Sequence, residues 1–303
     1  MRAVQFDEYG GPEVLQVVDD AEEPHAGPGQ IRVAVRAAGV NPIDWKVRSG
    51  AMAGMSETAF PAIPGSDVAG EVDEVGDGVA DVAVGGQVFG AAIGGATAEY
   101  AVLEHYAVKP PGMSWEEAGG LTVAVETGVR TLDALGVEAG QTLLVNGAAG
   151  GVGLAAVQLA LARGARVIGT ASEGNHDFLR GLGVEPTTYG EGMVARVREL
   201  APDGVDRALD TAGSGVLPDL IALTGTPDHV ITIADFNAGE HGVRVSTGGD
   251  ERAWGALAEA ARLFEAGRFS LPVARAFGFS EAGEAHRLSQ EGHVRGKLVL
   301  VPE

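Results

Sequence analysis

At 303 residues with 45% hydrophobic content, the chain is long enough to bury the core of one large domain or two ordinary ones. Its formal net charge of −21 argues against nucleic acid or an anionic membrane surface as a partner, and the absence of cysteine excludes disulfides, thiolate nucleophiles and thiolate zinc sites. No run approaches the roughly 20 apolar residues that span a bilayer, and MRAVQFDEYG has no secretion-signal core, so a cytoplasmic protein is expected.

The first 110 residues alternate apolar and polar positions in short runs bounded by Gly or Pro: AVQF (3–6), IRVAVRAAGV (31–40) and DVAGEVDEVG (67–76). They predict an all-β unit, with EEPHAGPGQ (22–30) as a loop inside it. After Pro110 and Pro111, SWEEAGGLTVAVETGVRTLDAL predicts one helix, with Ser114 as N-cap and Glu117 completing a capping box. From residue 142 the runs TLLVN, GVGLAAVQLALARG, ARVIGTAS and NHDFLRGLG read strand, helix, strand, helix, the pattern of a parallel sheet covered on both faces.

VDRALDT (205–211), HVITIA (229–234) and VRVST (243–247) extend that sheet. ERAWGALAEAARLFEAGRF predicts a helix whose Leu257, Ala260, Ala261 and Phe264 form an apolar stripe against it. After Leu271 and Pro272, VARAFGFS, a helix around EAGEAHRLSQEG and a last strand KLVLV return toward the β unit. The expected domains are residues 1–115, completed by 273–303, and residues 116–272.

The strongest local signal is LLVNGAAGGVGLAAVQLA, an apolar strand running through clustered glycines into an apolar helix. Glycine lets the backbone turn tightly and approach a pyrophosphate, whose charge the free N–H groups of the helix N-terminus stabilise. Ala148, Gly150 and Gly153 stand where a dinucleotide fingerprint places its glycines, with Gly151 and Val152 between them. An NAD-specific site carries Asp or Glu about 20 residues further on, against the ribose 2′-hydroxyl. Ser172 holds that place here, with Asn175, His176 and Arg180 close behind, so NADPH is expected over NADH despite the adjacent Glu173.

AAGVNPIDWKVRSG (37–50), PGSDVAGEVDEVG (64–76), NGAAGGVG (146–153) and HVRGKLVL (293–300) together resemble the quinone oxidoreductase branch of the medium-chain dehydrogenase/reductases. The resemblance implies an α/β protein with a GroES-like β domain and a doubly wound Rossmann domain inserted into it. Zinc members of that superfamily carry a Cys near position 41 and a Gly-His-Glu triplet; this chain has Asn41 and then Gly65, Ser66 and Asp67, so no metal is expected. Hydride transfer to a carbon conjugated to a carbonyl needs none, because the charge spreads onto oxygen.

The resemblance places Asn41 near nicotinamide and substrate, as a donor to a carbonyl, and Lys46 where an ammonium stabilises an enolate oxygen or relays a proton; Asp44 holds the loop. It sets Thr127 against the nicotinamide, Tyr189 near the 2′-phosphate, and Phe277 and Lys297 in the returning segment that closes over the cofactor. Thr211, Ile233 and Ala234 sit at carboxyl ends of sheet strands, where open α/β folds bind ligands. The expected partners are a quinone or conjugated carbonyl substrate, selected by the loop at 51–62 and the region after Asp235, and a second copy in a homodimer. No GxSxG or HExxH motif supports a hydrolase. The competing reading is a nicotinamide-binding scaffold or redox sensor with little turnover.

Overall fold

The computed structural model describes residues 1–55, 57–249 and 252–303. They form two compact units, Met1–Val123 with Leu257–Glu303 and Ala124–Ala256, where the sequence pattern set junctions at 115/116 and 272/273. Ser56 of the 51–62 loop and Glu251 at the head of the 251–269 segment lie outside the described residues. Among the described residues no helix is long and apolar enough to cross a membrane.

The first unit opens with a short antiparallel ladder of β1 (Ala3–Gln5) and β2 (Gln16–Val18). Then follow β3 (Ile31–Val40), α1 (Pro42–Arg48), β4 (Asp67–Val75), β5 (Gln87–Ile93) and β6 (Tyr100–Val108). β3 pairs along its length with β4 and, over Ile31–Ala34, also with β6, so β3 to β6 close on themselves. Closure leaves no open edge in this part of the sheet, and Ile31, Val33, Val35, Val68, Val72, Val88 and Leu103 pack as one core.

At α2 (Trp115–Gly119) the Ser114 Oγ accepts from the Glu117 N–H at 3.1 Å while Glu117 Oε2 accepts from the Ser114 N–H at 2.9 Å, the expected capping box. The single helix expected here is two, because α3 (Thr122–Leu135) starts afresh after Gly120 and Leu121. The cause is tertiary. A Cβ on Gly119 would stand 2.6 Å from the Ala37 carbonyl oxygen, so this turn is pressed onto β3, and Asp67 Oδ1 accepts the Val123 N–H at 2.6 Å, satisfying a donor at the start of the new helix.

The second unit alternates β7 (Thr142–Asn146), α4 (Gly151–Ala162), β8 (Arg166–Thr170), α5 (His176–Gly181), β9 (Glu185–Thr187), α6 (Met193–Leu200), β10 (Arg207–Asp210), α7 (Leu217–Thr224), β11 (Val230–Thr232) and β12 (Arg244–Val245). All five pairings are parallel and the order is β12-β11-β10-β7-β8-β9, a doubly wound sheet whose order reverses beside β7. β9 escapes the sequence pattern because Glu185-Pro186-Thr187 is short and carries a proline; only its place at the sheet edge tolerates the missing N–H.

The chain returns through α8 (Gly255–Glu265), β13 (Val273–Gly278), α9 (Ala282–Glu291) and β14 (Lys297–Val301), and β14 adds antiparallel to β3. The stripe expected on α8 is rotated: Ala256, Leu257, Ala260 and Leu263 are buried, while Ala261 and Phe264 are only half-buried. From Leu257 onward this helix groups with the first unit.

Candidate active site

In the second unit, the β7–α4 connection begins at Gly147, whose φ of +82° is the left-handed conformation that glycine adopts without strain. This explains Ala148: the tight turn is made one residue earlier, so the expected first glycine is not needed there. Ala148 is fully buried, and a Cβ on Gly169 of β8 would stand 2.7 Å from its methyl group, so the alanine is accommodated by a glycine across the sheet. A Cβ on Gly153 would collide with the Gly147 carbonyl oxygen, which seats α4 close against the turn.

Gly150 differs. Its φ of −78° suits any residue, and the nearest protein atom to a Cβ there is the Gly147 oxygen at 3.5 Å. The protein itself gives no steric reason for glycine at 150, whereas a phosphate approaching the backbone at the start of α4, with Gly151 and Val152 in its first turn, supplies one.

Behind the turn lies a row of buried polar side chains. Asn146 is the register partner of both Thr170 and Asp210, and Asp210 that of Thr232, so four strands end level. The Thr170 hydroxyl donates to Asn146 Oδ1 at 2.6 Å and accepts from the Gly147 N–H at 3.2 Å; Asn146 Nδ2 donates to Asp210 Oδ1 at 2.9 Å. Asp210 also accepts from the Thr232 hydroxyl at 2.7 Å and from the Ala212 and Gly213 N–H groups at 3.1 and 2.9 Å. Thr232 Oγ1 in turn accepts from the N–H groups of Ala234 and Asp235, and Ile233 N–H bonds to the Asp210 carbonyl. Thr211 donates to the Asn146 carbonyl at 2.7 Å. Thr211, Ile233 and Ala234 are therefore held at the carboxyl ends of their strands by groups the sequence reading passed over. The signal was available: each of the four apolar runs closes on a small polar residue.

After β8, Ser172 and Asn175 hydrogen-bond through their side chains at 3.0 Å, and the His176 ring lies 3.2 Å from the Ala171 carbonyl oxygen. The Thr170–Thr187 register brings this segment beside the one that follows β9, where Tyr189 is 52% exposed. Arg196 of α6 donates to the Thr188 carbonyl at 2.9 Å, so an unforeseen cation backs that loop, while Arg180 is paired with Asp177 at 2.6 Å. Thr127 belongs to another buried group: its hydroxyl accepts from Arg130 at 3.3 Å, and Arg130 and Arg252 both bind the buried Glu126 carboxylate at 2.8 and 3.2 Å.

In the first unit, Asn41 directly follows β3 and caps α1, with Pro42 at the first helical position. Its N–H donates to Asp44 Oδ2 at 2.7 Å, so Asp44 holds the loop as expected. The β3–β14 register pairs Leu298 with Val40, so Lys297 and Asn41 follow one step beyond it, and the β3–β4 register pairs Val68 with Ala38, next to Gly39, where a Cβ would stand 2.7 Å from Asp67. Lys297 Nζ donates to Asn41 Oδ1 and, at 3.2 Å, to Asp67 Oδ2, which also accepts from Asn41 Nδ2 at 3.0 Å.

Burial pushes Asp44 up to about 7, an effect reinforced by the charge of Asp67 and opposed by the Asn41 N–H and Lys297. Lys46 is half-buried on α1 with its ammonium 5.7 Å from the Trp45 ring centroid, and burial lowers its pKa. Phe277 is fully buried with Val40, Phe279, Leu298 and Leu300, and the Arg275 guanidinium lies 4.2 Å from its ring centroid.

Comparison with known proteins finds two family models along the chain. The alcohol dehydrogenase GroES-like domain family model matches residues 27–131 and the zinc-binding dehydrogenase family model residues 182–300. Human quinone oxidoreductase is 39% identical over 175 residues, 56% of this chain and 53% of that one, so the match spans about half the relative's length. The 2-methylene-furan-3-one reductase of Solanum lycopersicum is 30% identical across all of this chain and 79% of its own. The structure of the quinone oxidoreductase from Coxiella burnetii superposes with a TM-score of 0.84 at 31% identity, covering 99% of both chains.

Proposed function

The chain belongs to the quinone oxidoreductase branch of the medium-chain dehydrogenase/reductases, and from that premise we propose that it transfers hydride from NADPH to a quinone or α,β-unsaturated carbonyl without a metal. The observation that carries the cofactor half is Gly150, a glycine with open space beside it at a helix N-terminus, flanked by two glycines that the turn itself requires. Nicotinamide, when bound, supplies the hydride.

The Gly147–Gly153 turn binds the pyrophosphate, and Thr127, Thr211, Ile233 and Ala234 border the bound cofactor. Ser172, Asn175, His176 and Tyr189 border the 2′-phosphate, where a serine in place of a carboxylate avoids charge repulsion and favours NADPH. In the returning segment Lys297 borders the cofactor through its backbone, whereas Phe277 acts from within the core. In the β unit, the Asn41 amide donates to the substrate oxygen and the Lys46 ammonium stabilises the negative charge that develops there. Partial desolvation makes that ammonium a better proton donor than a fully solvated lysine. The protein acts in the cytoplasm as a homodimer.

What supports the metal-free part is the donor set. Asn41 Oδ1 and Asp67 Oδ2 both accept from the Lys297 ammonium, and Asn41 turns its NH₂ group toward Asp67, so the oxygens a zinc ion would need are already committed to a cation and an amide donor. Among the described residues no three His, Asp or Glu side chains converge as a metal site.

The test is anaerobic oxidation of NADPH and of NADH, followed by absorbance, against a panel of alkyl enones and quinones with products identified by mass. Conversion of enones to saturated ketones, or of quinones to quinols, with NADPH preferred, is the expected outcome. Tight NADPH binding without oxidation by any acceptor would favour the scaffold or sensor.

A further inference from the structure

We infer that Lys297 is a positioning residue for the proposed hydride transfer, fixing the Asn41 amide in the one orientation that offers a hydrogen to a substrate carbonyl. The inference rests on the reductase reading and concerns side chains of the β unit alone.

An asparagine amide carries one oxygen and two N–H donors, and its two flipped orientations are close in shape. Here the neighbours remove the ambiguity. Oδ1 faces the Lys297 ammonium and Nδ2 faces the Asp67 carboxylate at 3.0 Å. Turning the amide over would set the NH₂ group against an ammonium and the carbonyl oxygen against a carboxylate, two like-with-like contacts among fully buried or nearly buried groups. In the observed orientation the oxygen and one N–H are consumed, and the second hydrogen on Nδ2 is left for a ligand. A donor held in place before the substrate arrives suits a carbonyl oxygen that gains negative charge during reaction.

The lock is assembled from three distant segments. Asn41 follows the end of β3, Asp67 begins β4 and Lys297 begins β14, and the two strand registers bring them together. Lys297 is buried although its charge would be better solvated at the surface, and its ion pair with Asp67 offsets part of that desolvation. Asp67 is anchored independently through the Val123 N–H, so the carboxylate does not depend on the lysine for its position.

The test is steady-state kinetics of Lys297→Met, Asn41→Ala and the double variant on an enone or quinone that the wild type turns over. Lys297→Met should lower kcat about tenfold and leave the KM for NADPH within about twofold, because the donor is disordered while cofactor contacts remain. The double variant should be no slower than Asn41→Ala alone, since the lysine acts through the asparagine. Should Lys297→Met fail to fold for want of a partner to Asp67, Asp67→Asn with Lys297→Met removes both charges and must show the same fall in kcat.

Full kcat in Lys297→Met, losses that multiply in the double variant, or a raised cofactor KM at unchanged kcat would each overturn the inference while leaving the reductase reading standing. A wild-type protein that turns over no acceptor overturns both.

Discussion

In the unit Ala124–Ala256 the buried polar row of Thr170, Asn146, Asp210 and Thr232 joins neighbours across one sheet, and every member ends a strand. In the β unit the buried cluster of Asn41, Asp44, Asp67 and Lys297 draws on segments more than 200 residues apart and includes an ammonium and two carboxyl groups. The first arrangement is closed: its hydroxyls, amide and carboxylate bond one another and the backbone N–H groups that follow, which fixes loops. The second holds an ammonium and a carboxyl that burial pushes up to about 7, and the proposed mechanism assigns one of its amide hydrogens to the substrate. The contrast teaches that buried polarity can serve as scaffold or as reagent, and that the balance of donors, acceptors and charge tells them apart.

The largest effect should come from breaking the scaffold. Gly153→Val drives a side chain into the Gly147 carbonyl and should destabilise the protein by about 3 kcal/mol, with NADPH affinity falling alongside, as measured by denaturant unfolding and fluorescence titration. Unchanged stability and binding would show that the turn relaxes freely.

The titratable carboxyl sharpens the other side. Asp44 has a folded-state pKa raised from 3.8 to about 7, so the folded protein holds a proton that the unfolded chain has released. Stability should therefore fall as pH rises between these values, by up to about 1.4 kcal/mol per pH unit from this one group. Asp44→Asn should flatten that slope in unfolding measured across the range, and an identical slope in the variant would place Asp44 in contact with water.

Lys46→Ala should lower turnover on enones by at least about tenfold, near 1.4 kcal/mol of transition-state stabilisation, with little change in cofactor affinity. Turnover at the wild-type rate would remove Lys46 from the mechanism. The smallest effect falls on the cofactor's far end. Ser172→Asp should shift the ratio of NADPH to NADH efficiency toward NADH by roughly fivefold, about 1 kcal/mol, through charge repulsion. A retained preference would mean that the 2′-phosphate is held elsewhere.

Much of the fold was legible because apolar period and punctuation report local geometry. IRVAVRAAGV became β3 residue for residue, TLLVN became β7, and KLVLV became the strand that returns to β3. The failures have local causes too. Glu185-Pro186-Thr187 is a strand only because it lies at an edge, and the helix after Ser114 breaks because Gly119 and Asp67 answer to β3 rather than to their neighbours in sequence. At the candidate site, Gly150 and Gly153 were readable as a pair, but not Gly147 as the residue that makes the turn, since backbone angles are not written in composition.

The sequence by itself determined the two folding patterns, the absence of thiolate chemistry, the glycine-rich strand-to-helix turn and the polar residue closing each apolar run of the parallel sheet. Each is set by neighbours in the chain through steric allowance or period. Only the tertiary structure decided that Lys297, which the sequence placed in the returning strand KLVLV, lies buried between Asn41 and Asp67. That decision belongs to strand register, which is fixed by pairing between segments far apart in sequence and leaves no mark on any one of them.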